Sequence, residues 1–167
     1  MTSVVSDTTA LIVLAAQQRL DLLAGCFDRV LLPDAVYREW LAGDPGVAGI
    51  VPQQSWLEMV SAEEVPLLVE LRVLLDPGEA DALALARQRH LPLIVDEKKG
   101  RRVARMMGIP VLGLVGVLLL AVQREVLDPE SAKQILVNAK DRGFRLSEGL
   151  FEAFTMRLES SRTRSPT

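Results

Sequence analysis

The chain is poor in the residues that most often carry catalysis. Among 167 residues there is one cysteine, Cys26, and one histidine, His90. A lone cysteine closes no internal disulfide, and with a lone histidine it cannot complete a Cys/His zinc site. Mechanisms that need paired histidines are excluded too, which leaves carboxylates, hydroxyls and basic side chains to carry any chemistry. Aromatic residues make up 4% of the chain, and Trp40 and Trp56 read as packing residues. Long apolar runs are also missing. The longest uncharged one, Ile109 to Val122, is broken by Pro110, Gly113 and Gly116 and falls short of the roughly 18–20 residues a membrane span needs. Met1 to Asp7 lacks the basic start of a secretion signal and carries an early acid. A cytoplasmic, reducing setting is the expectation.

What is present is a core. Apolar residues are 49% of the sequence, and 22 acids against 19 bases give a net charge of −3. That length suits one domain, expected over residues 1–159, with the Ser-, Thr- and Arg-rich stretch Ser160–Thr167 expected as a disordered tail. Short apolar runs alternate with helical periodicity. Strands are predicted at Val4-Val5, Arg29–Leu32, Trp56–Val60 (antiparallel or at an edge), Leu93–Val95 and Pro110–Leu112. Helices are predicted over Ala10–Gln18 with Thr8 or Thr9 as cap, Asp34–Leu41, Glu64–Leu75, Glu79–Arg89, Lys99–Met107 and Val115–Arg124. Two more follow, one starting at Asp128-Pro129 and stopped by Gly143, the other capped by Ser147 and running to about Arg157. The pattern predicts an α/β three-layer sandwich around a mostly parallel sheet of roughly five strands.

In such sheets, sites gather at the carboxyl ends of strands near the point where strand order reverses. Asp7 follows the first strand and Asp96 the fourth; Glu39 lies in the helix after the second strand and Glu79 at a helix N-terminus returning to that edge. Four carboxylates can therefore converge there. Neighbouring strands lie about 4.8 Å apart, so Asp7 and Asp96 could share one cation if their strands are adjacent, and magnesium suits an oxygen site that keeps waters. Each acid also has a plainer reading. Asp7 could cap the first helix, Asp76-Pro77-Gly78-Glu79 fits a capping box, and Glu39 could be a solvated helix position. Asp81 competes with Glu79 for the third place. Directly after Asp96 come five bases, Lys98, Lys99, Arg101, Arg102 and Arg105, which read either as a solvated helix face or as a grip on nucleic-acid phosphates.

Four segments in order, Val4 to Leu11, Leu32 to Glu39, Pro77 to Ala86 and Leu93 to Glu97, resemble the PIN-domain family. Gly100 to Ala104 and Gly143 to Ser147 resemble a prokaryotic branch related to VapC-type toxins. The resemblance implies a ribonuclease dependent on Mg2+ or Mn2+, often the toxin partnered by a cognate antitoxin and often a homodimer. Its acidic set carries over to Asp7, Glu39, Glu79 and Asp96, with Thr8 or Thr9 as a hydroxyl helper at the RNA. The third acid is commonly aspartate in that family, whereas Glu79 stands here with Asp81 nearby.

The expected function is thus a metal-dependent endoribonuclease, with Asp7 and Asp96 as metal ligands and Thr8, Lys98, Lys99, Arg101, Arg102 and Arg105 at the RNA. Two alternatives remain. One is a non-catalytic nucleic-acid- or partner-binding module. The other is a haloacid-dehalogenase-like phosphatase, whose second aspartate would fall where Thr9 stands. A surplus of apolar residues on the helices Ala10–Gln18 and Ala35–Leu41, namely Leu11, Ile12, Val13, Leu14, Val36 and Trp40, suggests a partner surface, a homodimer or an antitoxin complex.

Overall fold

The computed structural model describes residues 2–163. In chain order its elements are β1 (Ser3–Ser6), α1 (Thr8–Ala16), α2 (Asp21–Cys26), β2 (Arg29–Leu32), α3 (Asp34–Gly43), α4 (Val47–Ile50), a 3-10 turn (Val51–Gln53) and β3 (Leu57–Met59). They continue with α5 (Pro66–Leu74), α6 (Pro77–Arg89), β4 (Leu93–Ile94), α7 (Lys98–Met106), β5 (Val111–Leu112), α8 (Leu114–Gln123), α9 (Pro129–Asp141) and α10 (Glu148–Arg162). The five strands form one sheet in the order β3-β2-β1-β4-β5, and every pairing is parallel. This is an α/β architecture, with α2 against β2 and α6 against β1 and β4.

The strand sequences explain the order. Val4, Val5, Val30, Leu32, Leu93 and Ile94 are all but inaccessible, as expected of short, uninterrupted apolar strands covered on both faces. In β3 only Leu57 is buried, while Glu58 and Met59 are exposed and Arg29 pairs with Glu58. A charged, three-residue strand suits an edge. β3 is at the edge and runs parallel.

From β1 the chain steps outward to β2 and β3, then crosses back through α5 and α6 to place β4 on the other side of β1. Strand order therefore reverses between β1 and β4. Their register pairs Ser6 with Ile94, and the Asp7 N–H donates to the Ile94 carbonyl at 2.9 Å. The two chains consequently leave the sheet side by side, one into Asp7 and the other into Asp96.

Several expectations need correction. Asp7, rather than Thr8 or Thr9, occupies the N-cap position of α1, and its side chain makes no capping bond. The stretch after Pro45, where no element is predicted, forms α4 and the 3-10 turn, with Val47 and Val51 buried. Ser160 to Arg162 belong to α10, where Arg162 reaches Glu130 at 2.5 Å, and Thr163 follows as its C-cap; the last four residues of the expected tail, 164–167, lie outside the described residues. The apolar surplus is largely absorbed. α3 packs against both α1 and α6, burying Val36 and Trp40, and Leu11 and Leu14 are equally inaccessible. Of that set only Ile12 is exposed, at 45%. Among the described residues no helix is long and apolar enough to cross a membrane.

Candidate active site

Asp7 sits at the reversal point, almost wholly buried at the end of the central strand. Burial pushes its carboxyl up to about 6, and repulsion from Glu39 and Asp96 adds to this against hydrogen bonds from Thr8. Glu79, in the first turn of α6, is raised to about 7 by burial and by the charges of Asp7, Asp76 and Glu97. The Asp76 backbone amide pulls it partly back, which is one half of the capping box anticipated in the sequence. Asp96 is also raised by burial, although the Leu114 amide and the charge of Arg101 oppose the shift.

Each acid is held by its own donors. The Thr8 hydroxyl, in a residue only 8% exposed, donates to Glu39 Oε2 at 2.9 Å, so Thr8 belongs inside the cluster. Glu39 Oε1 accepts from the Gly78 N–H at 2.9 Å. A carboxylate from α3 thereby satisfies an orphan donor at the start of α6, where the helix dipole favours negative charge. Asp96 Oδ1 accepts from the Leu114 N–H at 3.0 Å. Asp81 is placed elsewhere: Arg72 of α5 grips both its oxygens at 3.0 and 3.3 Å. Of the two rivals for the third place, Glu79 is the one beside Asp7.

Three glycines, none of which the sequence reading singled out for this role, make room for these carboxylates. A Cβ on Gly78 would stand 2.5 Å from Glu39 Oε2, and one on Gly113 would stand 2.8 Å from Asp96 Oδ1. On Gly100 it would meet Glu79 Oε1 at 3.2 Å. None of the three has a positive φ that would call for glycine. The requirement is space, which leaves no local sequence signal.

Whether the residues fit a cation can be read from the donors. Asp96 Oδ2 is buried without a hydrogen-bond partner among the described residues. An anionic oxygen in that state is costly unless a cation relieves it. Asp7 and Asp96 on adjacent strands are hard oxygen donors of the kind Mg2+ or Mn2+ takes, and such ions retain water in most positions. The convergence is looser than the sequence suggested: among the described residues no three Asp, Glu, His or Cys side chains close on one point. The Gly78, Thr8 and Leu114 donors hold Glu39 and Asp96 in separate places, and unneutralised charges repel. The donor set fits a two-carboxylate site rather than a closed cage.

The basic helix α7 buries Gly100 and Ala104, four residues apart, and so straddles the site. Arg101 lines a groove with Asp96, while Lys99 lines a cleft with Glu79, Asp76 and Glu97. Lys98, Lys99, Arg102 and Arg105 are exposed, Arg101 is half-buried, and among the described residues none of the five ion-pairs with an acid.

No curated protein matches the chain. The DUF3368 family model, described as a PIN domain, matches residues 3–160. PIN domains are metal-dependent nucleases in general, and an all-parallel sheet with buried acids at its reversal point is where such chemistry would sit. The chain belongs to the PIN-domain family.

Proposed function

We propose that the protein is a cytoplasmic, metal-dependent endoribonuclease, one nuclease domain acting as the toxin of a toxin–antitoxin pair. The observation that carries the nuclease reading is the buried, unpartnered Oδ2 of the otherwise half-buried Asp96, with the almost wholly buried Asp7 at the end of the neighbouring strand, where the two strands run together at the reversal point. Asp7 and Asp96 are the ligands for Mg2+ or Mn2+. When bound, that ion supplies activation of water and neutralisation of charge at the phosphodiester. Glu39, fixed by Thr8 and Gly78, orients the attacking water. Glu79, with its carboxyl near 7, is the group able to take up a proton at neutral pH. The ion-pair-free bases of α7 hold the flanking phosphates, and Cys26, fully buried, suits a reducing compartment.

Purified protein incubated with RNA should cleave it in the presence of Mg2+ or Mn2+ and cease on addition of EDTA. Binding without cleavage under every metal condition would favour the non-catalytic module. Cleavage should also depend on Gly78. In Gly78→Ala the new methyl displaces the Glu39 carboxylate, the flexible end of its side chain. The rate should fall about tenfold, the scale of losing a group that orients a ligand or water. Thermal unfolding should barely move, because alanine is the better helix former. An unchanged rate would remove Glu39 from the machinery.

A further inference from the structure

Between α8 and the turn preceding α10 lies a groove of about 300 Å3 whose lining includes Asp96, Arg101, Phe144, Arg145 and Leu150. That is at the small end of ligand-sized sites. The turn is anchored at both ends. Gly143 takes a φ of +102, which directs the chain back so that the Phe144 N–H bonds the Ala139 carbonyl at 2.9 Å, and Phe144 packs against the core. Three residues later Ser147 caps α10, its Oγ accepting from the Leu150 N–H at 3.1 Å. Arg145 projects from between these anchors. It is exposed, and among the described residues its side chain has neither an ion pair nor a hydrogen bond.

The groove is therefore mixed in chemistry. Its lining combines two guanidinium groups, Arg101 and Arg145, in the same cavity as a candidate metal ligand, with an apolar wall that includes Phe144, Val115 and Leu150. Among the described residues Arg145 has no partner and Arg101 makes no direct ion pair, so the two can fork the oxygens of an anion, and phosphate matches that geometry. A flat, weakly polar face is called for by the wall. A nucleotide carries both in one unit.

We propose that this groove seats one nucleotide of the RNA next to the scissile phosphate. Its own phosphate lies between Arg101 and Arg145, and its base lies against Phe144 and Leu150. The proposal rests on the ribonuclease reading above and adds to it a contact from the α9–α10 turn, far from the basic helix in sequence.

The test is fluorescence anisotropy with a labelled single-stranded oligoribonucleotide, in EDTA over a range of salt, using the parent, Arg145→Ala, Arg145→Lys and Arg157→Ala. Arg157 is an exposed arginine of α10 that does not line the groove, so it controls for loss of one positive charge. Arg145→Ala should bind about tenfold more weakly, with the slope of log affinity on log salt reduced by about 0.7. Arg145→Lys should keep the slope while losing part of the affinity, because it keeps the charge without the fork. Arg157→Ala should match the parent. Parent-like affinity and slope in Arg145→Ala would overturn the inference, as would equal weakening by Arg157→Ala, since binding would then be diffuse. If the parent itself neither binds nor cleaves RNA, the ribonuclease reading fails and this inference with it; RNA cleavage by the parent alongside a silent Arg145→Ala condemns the groove alone.

Discussion

Asp96→Asn is expected to abolish metal-dependent RNA cleavage, by more than about 100-fold, while leaving the metal-free protein as stable as its parent or more so. Asparagine retains the oxygen that accepts from the Leu114 N–H. What disappears is a buried negative charge that repels Asp7 and whose second oxygen has no donor. Replacing it with an amide leaves a buried N–H2 to satisfy, at about 1–3 kcal/mol, against relief of a desolvated charge. Without metal, the variant should unfold at or above the parent's temperature. With Mg2+, the parent should gain stability and the variant should not. A well-folded Asp96→Asn protein that still cleaves RNA at the parental rate removes Asp96 from the ligand set.

The second large effect concerns pH. Asp7 has a folded pKa of about 6 against an ordinary 3.8, and Glu79 is displaced in the same direction, to about 7 from 4.5. A carboxyl raised on folding means that the native state holds more protons than the unfolded chain between the two values. Stability therefore falls as pH rises through that window. For Asp7 the full penalty is on the order of 3 kcal/mol, developing between about pH 4 and pH 7 and complete above it. Metal-free protein should lose thermal stability from pH 5 to pH 8. A divalent cation takes the place of the protons, so its stabilisation should grow over the same interval and flatten or reverse the decline. Identical pH slopes with and without saturating Mg2+ would show that no cation binds among these acids. In Asp96→Asn the metal-free slope should be shallower, because one of the charges that raises Asp7 is gone.

The sequence alone places acids at the ends of buried strands, and the limit of what it reveals has physical causes. β2 is readable end to end, because the apolar run Val30–Leu32 follows Arg29 and is closed by Pro33. Asp7 and Asp96 were recognisable as acids ending buried strands, but their adjacency depends on β4 crossing back to β1, and no local pattern encodes which neighbour a strand takes. Helix geometry already turns Asp81 away from Glu79, but the sequence leaves it a competitor because the partner that engages it, Arg72, sits on another helix. Trp40 and Val36 looked surplus because a sequence shows one buried stripe per helix, whereas α3 is sandwiched between α1 and α6. Gly78, Gly100 and Gly113 were silent, since what matters is the missing Cβ against a carboxylate distant in sequence.

The pairing of β1 with β4 also sets when the site can exist. It joins Val5 to Leu93 and Ser6 to Ile94, contacts between opposite halves of the chain, and such non-local parallel pairs form late because a long loop must close before they return any energy. During synthesis the amino-terminal part can collapse around β1, β2 and β3 while Asp7 has no companion. The Asp7–Asp96 pair assembles only once the ribosome has released the chain beyond Asp96. On the nuclease reading proposed above, a partly made copy could not yet cut RNA, the messenger being translated included, and competence would arrive with completion of the fold.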